Sequence, residues 1–323
     1  MIRSTFQGLL VGACLAVALL IPARAHADAS QAVILMGYGG GYDGGSLPHC
    51  VQYFGTGKLF MYTCDNIFSQ GTGYFLFDSN GAIHIEPDTG KCVDVTANVV
   101  PCNGSAAQQW YFANGLLRPR WSKQFQGCLT IESAPSPSLD GVLVDVAPCT
   151  ATYAQLFVPV GVNMMFESPT TATCLYSSTA PFVPLKTGQC NSQAASQAFY
   201  FSFNNSSSSF YVTLETGAGD NRCVASDGTP GDLAYLDPNN CNLTSYNNPP
   251  FERWQYTFDQ RLMNAQREGA HNHLCLSQGN QVPGTFINNV TESDCVAFSQ
   301  PQKWIMWING FPSTTLPLIR PPL

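Results

Sequence analysis

Charge is scarce in this 323-residue chain: Asp, Glu, Lys and Arg make up 11% of it, against the ~25% of ordinary globular proteins. Basic residues are the rarer half, 14 against 21 acidic, for a formal net charge of -7. That balance excludes the basic stripe with which proteins grip nucleic acid or anionic membrane, so neither is expected as a partner. Helical periodicity is nearly absent. Beyond the N-terminus no apolar run approaches the roughly 20 residues of a spanning helix, so no membrane span is expected. A surface so poor in charge must be covered by Ser, Thr, Asn, Gln and Gly, as in extracellular β proteins.

What is present begins with a leader. Residues 1–27 hold Arg3, an apolar run from Leu9 to Ile21 and then Ala23-Arg24-Ala25-His26-Ala27. This reads as a secretory signal peptide cleaved after Ala25 or Ala27, which places the mature protein outside the cell or in a periplasm. Val11-Gly12-Ala13-Cys14 has the look of a lipidation box, but the apolar run continues for seven residues beyond Cys14, where a lipoprotein signal ends. Without Arg3 and Arg24 the mature chain has 12 basic and 21 acidic residues, net minus nine.

Short alternating runs such as Tyr74-Phe75-Leu76-Phe77 and Ala82-Ile83-His84-Ile85 are parted by turn signals such as Ser79-Asn80-Gly81. Many short strands at this spacing mean an all-β sandwich or barrel. Cysteine organises them. Cys14 aside, the 13 cysteines leave six short-range couples: Cys50/Cys64, Cys92/Cys102, Cys128/Cys149, Cys174/Cys190, Cys223/Cys241 and Cys275/Cys295. An even number in an exported chain implies an oxidising compartment. Gln70, Gln108, Gln155, Gln197 and Gln302 follow five of the second cysteines by six or seven residues. An aromatic stands two places after four of these glutamines, at Trp110, Phe157, Phe199 and Trp304. Repeat five has Glu252-Arg253-Trp254, and repeat one has Gln70-Gly71-Thr72 with no aromatic. A unit recurring every 36 to 52 residues between first cysteines is an internal repeat.

This unit resembles the ricin B-type lectin repeat, over residues 46–310. The resemblance implies an all-β fold of two tandem β-trefoil domains, six repeats with one intra-repeat disulfide each. Domain one spans 46–160 and domain two 161–310, with a short join at Val158-Pro159-Val160-Gly161. Residues 28–45 are left as a glycine-rich leader and 311–323 as a proline-rich tail, both extended. The Ser-rich stretch 204–209 reads as a long hairpin loop. Trp110, Phe157, Phe199, Trp254 and Trp304 are implied to fill the barrel core.

In the family, sugar is held by an Asp two places after the first cysteine, an aromatic shortly before the second, and polar residues near the Gln-x-Trp. A charged acceptor orients hydroxyls and a ring face covers the C–H side of a pyranose. Repeat two carries Asp94, Asn98 and Gln108, with Val100 in the stacking position. Repeat one has Tyr62 and Gln70, with Gln52 where Asp belongs. Repeats three to six have Thr130, Tyr176, Ala225 and Ser277 at the Asp position, although Asp227 and Tyr235 supply polar and aromatic groups in repeat five.

Other motifs are weaker. Gly39-x-Gly41-x-x-Gly44 matches a dinucleotide fingerprint, but no helix pattern follows to hold a pyrophosphate, and no cofactor is expected. His271-x-His273 sets two imidazoles on one strand face without the further ligands that zinc requires, so no metal is expected. With no Gly-x-Ser-x-Gly, no spare thiol and no segment outside the repeats, the chain is not expected to be an enzyme. The resemblance implies a secreted lectin that binds cell-surface glycans or polysaccharide. The alternative is a toxin cell-binding or protein-interaction component with degenerate sugar pockets. In either role the partner chain to expect is a toxin or a hydrolase.

Overall fold

The computed structural model describes residues 32–37, 49–64, 73–113, 115–120, 127–132, 139–178, 183–206, 209–217, 222–226, 229–237, 252, 254–257, 259–264, 273–283, 285 and 287–308. Among them lie 24 β-strands, four short 3-10 turns and no α-helix. The expected signal segment, the Gly39–Gly44 stretch and the expected tail lie outside the described residues.

Each repeat supplies four strands. Repeat one has β1 (Ala32–Gly37), β2 (His49–Tyr53), β3 (Leu59–Thr63) and β4 (Tyr74–Phe77); repeat two has β5 (Ile83–Glu86), β6 (Lys91–Val93), β7 (Val99–Pro101) and β8 (Trp110–Ala113). Repeat three has β9 (Leu116–Pro119), β10 (Gly127–Ile131), β11 (Val142–Pro148) and β12 (Phe157–Val160); repeat four has β13 (Met164–Ser168), β14 (Thr173–Tyr176), β15 (Lys186–Gln189) and β16 (Phe199–Ser206). Repeat five has β17 (Ser209–Thr216), β18 (Val224–Ala225), β19 (Tyr235–Leu236) and β20 (Trp254–Tyr256); repeat six has β21 (Leu262–Asn264), β22 (Leu274–Gln281), β23 (Asn288–Asp294) and β24 (Ile305–Ile308). Strands such as β4, β5 and β13 alternate between buried and half-buried residues. That is the period of two expected where one face of a strand meets a core.

First and fourth strands close two six-stranded rings. In the first, β1 pairs with β4, β4 with β5, β8 with β9, and β12 with β1. The Ala82–Gln109 bridge joins β5 to β8, and the Phe157 amide donates to the Gly115 carbonyl to join β9 to β12. In the second, β13 pairs with β16 and β24, β16 with β17, and β20 with β21; β17 lies against β20, and the Arg261–Lys303 bridge links β21 to β24. Middle strands form the hairpins, which touch one another through β3–β11 and Lys58–Asn98 in the first set and through β15–β23, Pro184–Tyr235 and Leu233–Thr291 in the second. Six barrel strands with three hairpins is the β-trefoil arrangement. The two rings meet where Val160 bridges Phe201 in parallel. Gly115 sits in the same region with φ +81, and a Cβ there would stand 2.3 Å from Leu156 and 3.3 Å from the Tyr256 ring. Only glycine fits that turn.

The expected core aromatics are all buried: Trp110, Phe157, Phe199, Trp254 and Trp304. The three indoles make one bond in common. Trp110, Trp254 and Trp304 donate Nε1–H to the carbonyls of Val93, Val224 and Leu276, each the residue after the first cysteine of its repeat, at 2.9, 2.7 and 3.0 Å. Buried Phe75 gives repeat one an aromatic that the Gln-x-aromatic spacing does not find. Disulfides join Cys50–Cys64, Cys92–Cys102, Cys128–Cys149, Cys174–Cys190 and Cys275–Cys295. Cys223 is also disulfide-bonded, with its partner outside the described residues.

Two expectations require correction. The leader assigned to 28–45 contains β1, whose residues 33–36 are buried and which closes the first ring against β4 and β12. Counting repeats from their first cysteine cut off the strand that precedes it, so the first β-trefoil unit starts at Ala32 and not at 46. The Ser-rich stretch 204–209 is not a long loop either, since β16 and β17 stay paired out to Ser206–Ser209.

Candidate functional site

The hairpin of repeat two presents Asp94 at the end of β6. Three donors of its own loop converge on one carboxylate oxygen: Oδ1 accepts the Thr96 and Asn98 amides at 2.9 and 3.0 Å and the Thr96 hydroxyl at 2.7 Å. Asn98 Nδ2 donates to Thr96 Oγ1, and Ala97 takes a left-handed φ of +54 to close the turn. Among the described residues no donor engages Oδ2. Asp94 is therefore both a loop organiser and a half-buried acceptor with one oxygen to offer, since an ionised carboxylate has about four lone-pair sites. The turn of repeat one abuts this loop, with the Val99 amide donating to Gly57. Beside it Lys91, hydrogen-bonded to Asp88 and Tyr53, is held above the ordinary lysine range and lies 5.4 Å from the Tyr53 ring centroid.

Gln108 does not join Asp94. It is 2% exposed, its amide nitrogen donating to the Pro101 carbonyl at 2.8 Å and its oxygen accepting the Asn103 amide at 2.7 Å. The two ends hold the residues on either side of Cys102, so Gln108 is a strut and not a sugar ligand. Gln52 is likewise withdrawn: it is fully buried and donates to the Thr63 carbonyl. Thr130 donates to the Cys128 carbonyl and accepts from Gln155, while Ala225 and Ser277 are buried. Tyr176 packs its ring over Gly188. Gln70 and Asp227 lie outside the described residues, and Tyr235 stands half-buried on β19.

Tyr62 belongs to a second cluster. Its ring meets Phe54 edge-on at 4.8 Å between centroids, and Phe54 at the tip of the repeat-one hairpin is exposed. Gly141 from repeat three lies under the Tyr62 hydroxyl. The adjacent Asp140 accepts the Thr63 amide at 2.8 Å, with His49 Nε2 at 3.5 Å. Two rings and a part-exposed carboxylate thus meet where repeat one lacks an Asp of its own. Sequence spacing missed Phe54 and Asp140. The second comes from another repeat, so no search within one unit finds it.

A third feature is an apolar edge in repeat six, where Val296 and Phe298 are 58% and 60% exposed. Phe298 has φ +59, a conformation rare for a bulky residue. Asp259 Oδ2 accepts its amide at 3.0 Å, and Asp259 also accepts from Thr257 and Arg261, which hold its carboxyl below the usual range despite burial. His84 lies within 4.8 Å of both sulfurs of Cys92–Cys102, but sulfurs joined in a disulfide are not thiolate ligands. His273 rests against the Asn264 carbonyl, and His271 lies outside the described residues.

No family model matches the chain, and no curated protein matches it. Solved structures do. An agglutinin from Abrus precatorius is 14% identical, over 86% of this chain and 97% of that one, with a TM-score of 0.34. A non-toxic homologue of type II RIPs from Momordica charantia, in complex with α-methyl-D-galactoside, is 16% identical over 86% and 98%, with a TM-score of 0.34. A mosquitocidal holotoxin is 12% identical over 86% of this chain and 34% of that one, with a TM-score of 0.33. The chain is similar to these proteins in outline, and its fold assignment stands on its own strand pairings.

Proposed function

We propose that this protein is a secreted carbohydrate-binding lectin of two β-trefoil domains that recognises glycans or polysaccharide without transforming them. The observation that carries the reading is Asp94, a carboxylate fixed through one oxygen and open at the other beside Thr96 and Asn98. Vicinal sugar hydroxyls suit such an acceptor. The Phe54–Tyr62–Asp140 cluster adds a ring face with a carboxylate, and two weak sites on one chain gain affinity together on a multivalent surface.

Hydrogen bonds to a charged group are worth about 1.5–3 kcal/mol each, so Asp94→Ala is expected to weaken glycan binding at least about tenfold. Calorimetric titration of the oxidised, full-length mature protein reads this. Gln108→Ala is expected to lower stability first, because it strips the Pro101 carbonyl and the Asn103 amide of their shared partner. Glycan binding that ignores Asp94→Ala would move the site elsewhere.

The Val296–Phe298 edge favours the second reading, a cell-binding or interaction component on the same scaffold. Cell binding that survives periodate cleavage of surface sugars but not Phe298→Ser would select it.

A further inference from the structure

The glutamine after the second cysteine makes the same two bonds in four repeats. Its NH2 donates to the carbonyl just before that cysteine, at Pro101, Pro148, Gln189 and Asp294, over 2.7–2.8 Å. Its oxygen accepts the amide just after it, at Asn103, Thr150, Asn191 and Val296, over 2.6–2.9 Å. One donor and one acceptor on a single planar group are what this register needs.

Repeat five has Glu252 there, two residues before Trp254 as Gln108 is before Trp110. Glu252 is 2% exposed, and among the described residues no amide, hydroxyl or cationic donor reaches either carboxyl oxygen, so that only a neighbouring carboxyl lies within reach. Two further carboxyls surround it. Asp237, next to β19, hydrogen-bonds to it, and Glu215 on β17 stands near enough to act on it electrostatically. Both are buried. Tyr200 on β16 and Thr213 on β17 donate to the two oxygens of Glu215, at 2.6 and 2.9 Å. Arg222, before β18, accepts the Thr216 amide on its carbonyl, and Glu292 on β23 accepts from Ser226. An ionised Glu252 puts a negative charge among these carboxyls in a dry corner and offers acceptors alone. A carboxylic acid has one O–H donor and one C=O acceptor, the pair that the glutamines use.

We propose that Glu252 keeps its proton in the folded protein at neutral pH and stands in for glutamine in repeat five, so that a titratable proton secures that hairpin. The assignment is independent of glycan binding. Burial first, then the hydrogen bond and charge of Asp237 and the charge of Glu215, push Glu252 up to about 9 from an ordinary 4.5. The folded state thus holds the proton more tightly than the unfolded chain. The stability this contributes is fully present below pH 4.5, declines as the unfolded chain ionises and is lost as pH rises through about 9.

Denaturant unfolding of the wild type and of Glu252→Gln from pH 4 to 9 tests this. The variants are expected to match near pH 4. At pH 8 Glu252→Gln is expected to have an unfolding constant at least about tenfold smaller, since each unit between the two titrations is a factor of ten. Infrared spectra of the wild type provide a readout independent of the variant's folding: a protonated-carboxyl C=O band should persist at pH 7 and fade near pH 9. A Glu252→Gln protein less stable at every pH, an unaltered pH slope or no such band at pH 7 overturns the proposal. So does stabilisation by added Ca2+ at pH 8 that Glu252→Gln abolishes, which would put a cation in place of the proton.

Discussion

Trp304→Ala is expected to lower folding stability by about 3–5 kcal/mol, the range for truncating a large buried aromatic, and to leave glycan affinity of the remaining folded protein unchanged. The indole is fully buried, its Nε1–H is bonded to Leu276, its amide donates to Gln260, and its carbonyl accepts the Tyr256 hydroxyl at 2.7 Å. Removing it opens a cavity in the second barrel and strands a buried carbonyl at once. Trp110→Ala should act alike in the first barrel, where the indole bonds Val93 at 2.9 Å. Chemical denaturation with a parallel glycan titration measures both effects. Unchanged stability with lost binding would put these rings in sugar pockets.

Reduction of the disulfides is expected to be still more damaging. The five described links close segments of 10 to 21 residues. Chain-entropy estimates give about 3 kcal/mol for such a closure, so six together rival the roughly 5–15 kcal/mol that hold an ordinary domain. Thiol reductant without denaturant should therefore unfold the chain. Peptide mapping of unreduced protein should recover six local links, including Cys223–Cys241. A link between repeats, or full stability after complete reduction, would contradict the repeat register.

Much of the fold is legible in residue spacing because the repeat uses rigid chemistry. A cysteine couple brackets each hairpin, and an aromatic two places after glutamine enters the barrel. β1 was illegible because nothing in Ala32–Gly37 marks it as part of a repeat; only its pairing with β4 and β12 does. Asp94 and Asn98 come together as their spacing suggests, because both lie in one loop. Spacing misled at Gln108 and Gln52, because a glutamine beside a hairpin serves equally as a ligand or as a buried strut, and burial decides. Asp140 escaped because it comes to Thr63, the neighbour of Tyr62, from the hairpin of another repeat. Glu252 was visible as a departure from glutamine, yet its meaning depends on Asp237 and Glu215, which the chain brings up from β19 and β17.

The most direct test of the account is titration of oxidised wild-type protein and Asp94→Ala with a panel of mono- and oligosaccharides, galactosides included, with stability monitored alongside. The account predicts saturable, weak binding by the wild type and at least a roughly tenfold loss in Asp94→Ala, with the barrel still folded although Thr96 and Asn98 lose their acceptor. Absence of binding to every glycan by a fully oxidised, folded protein would contradict it.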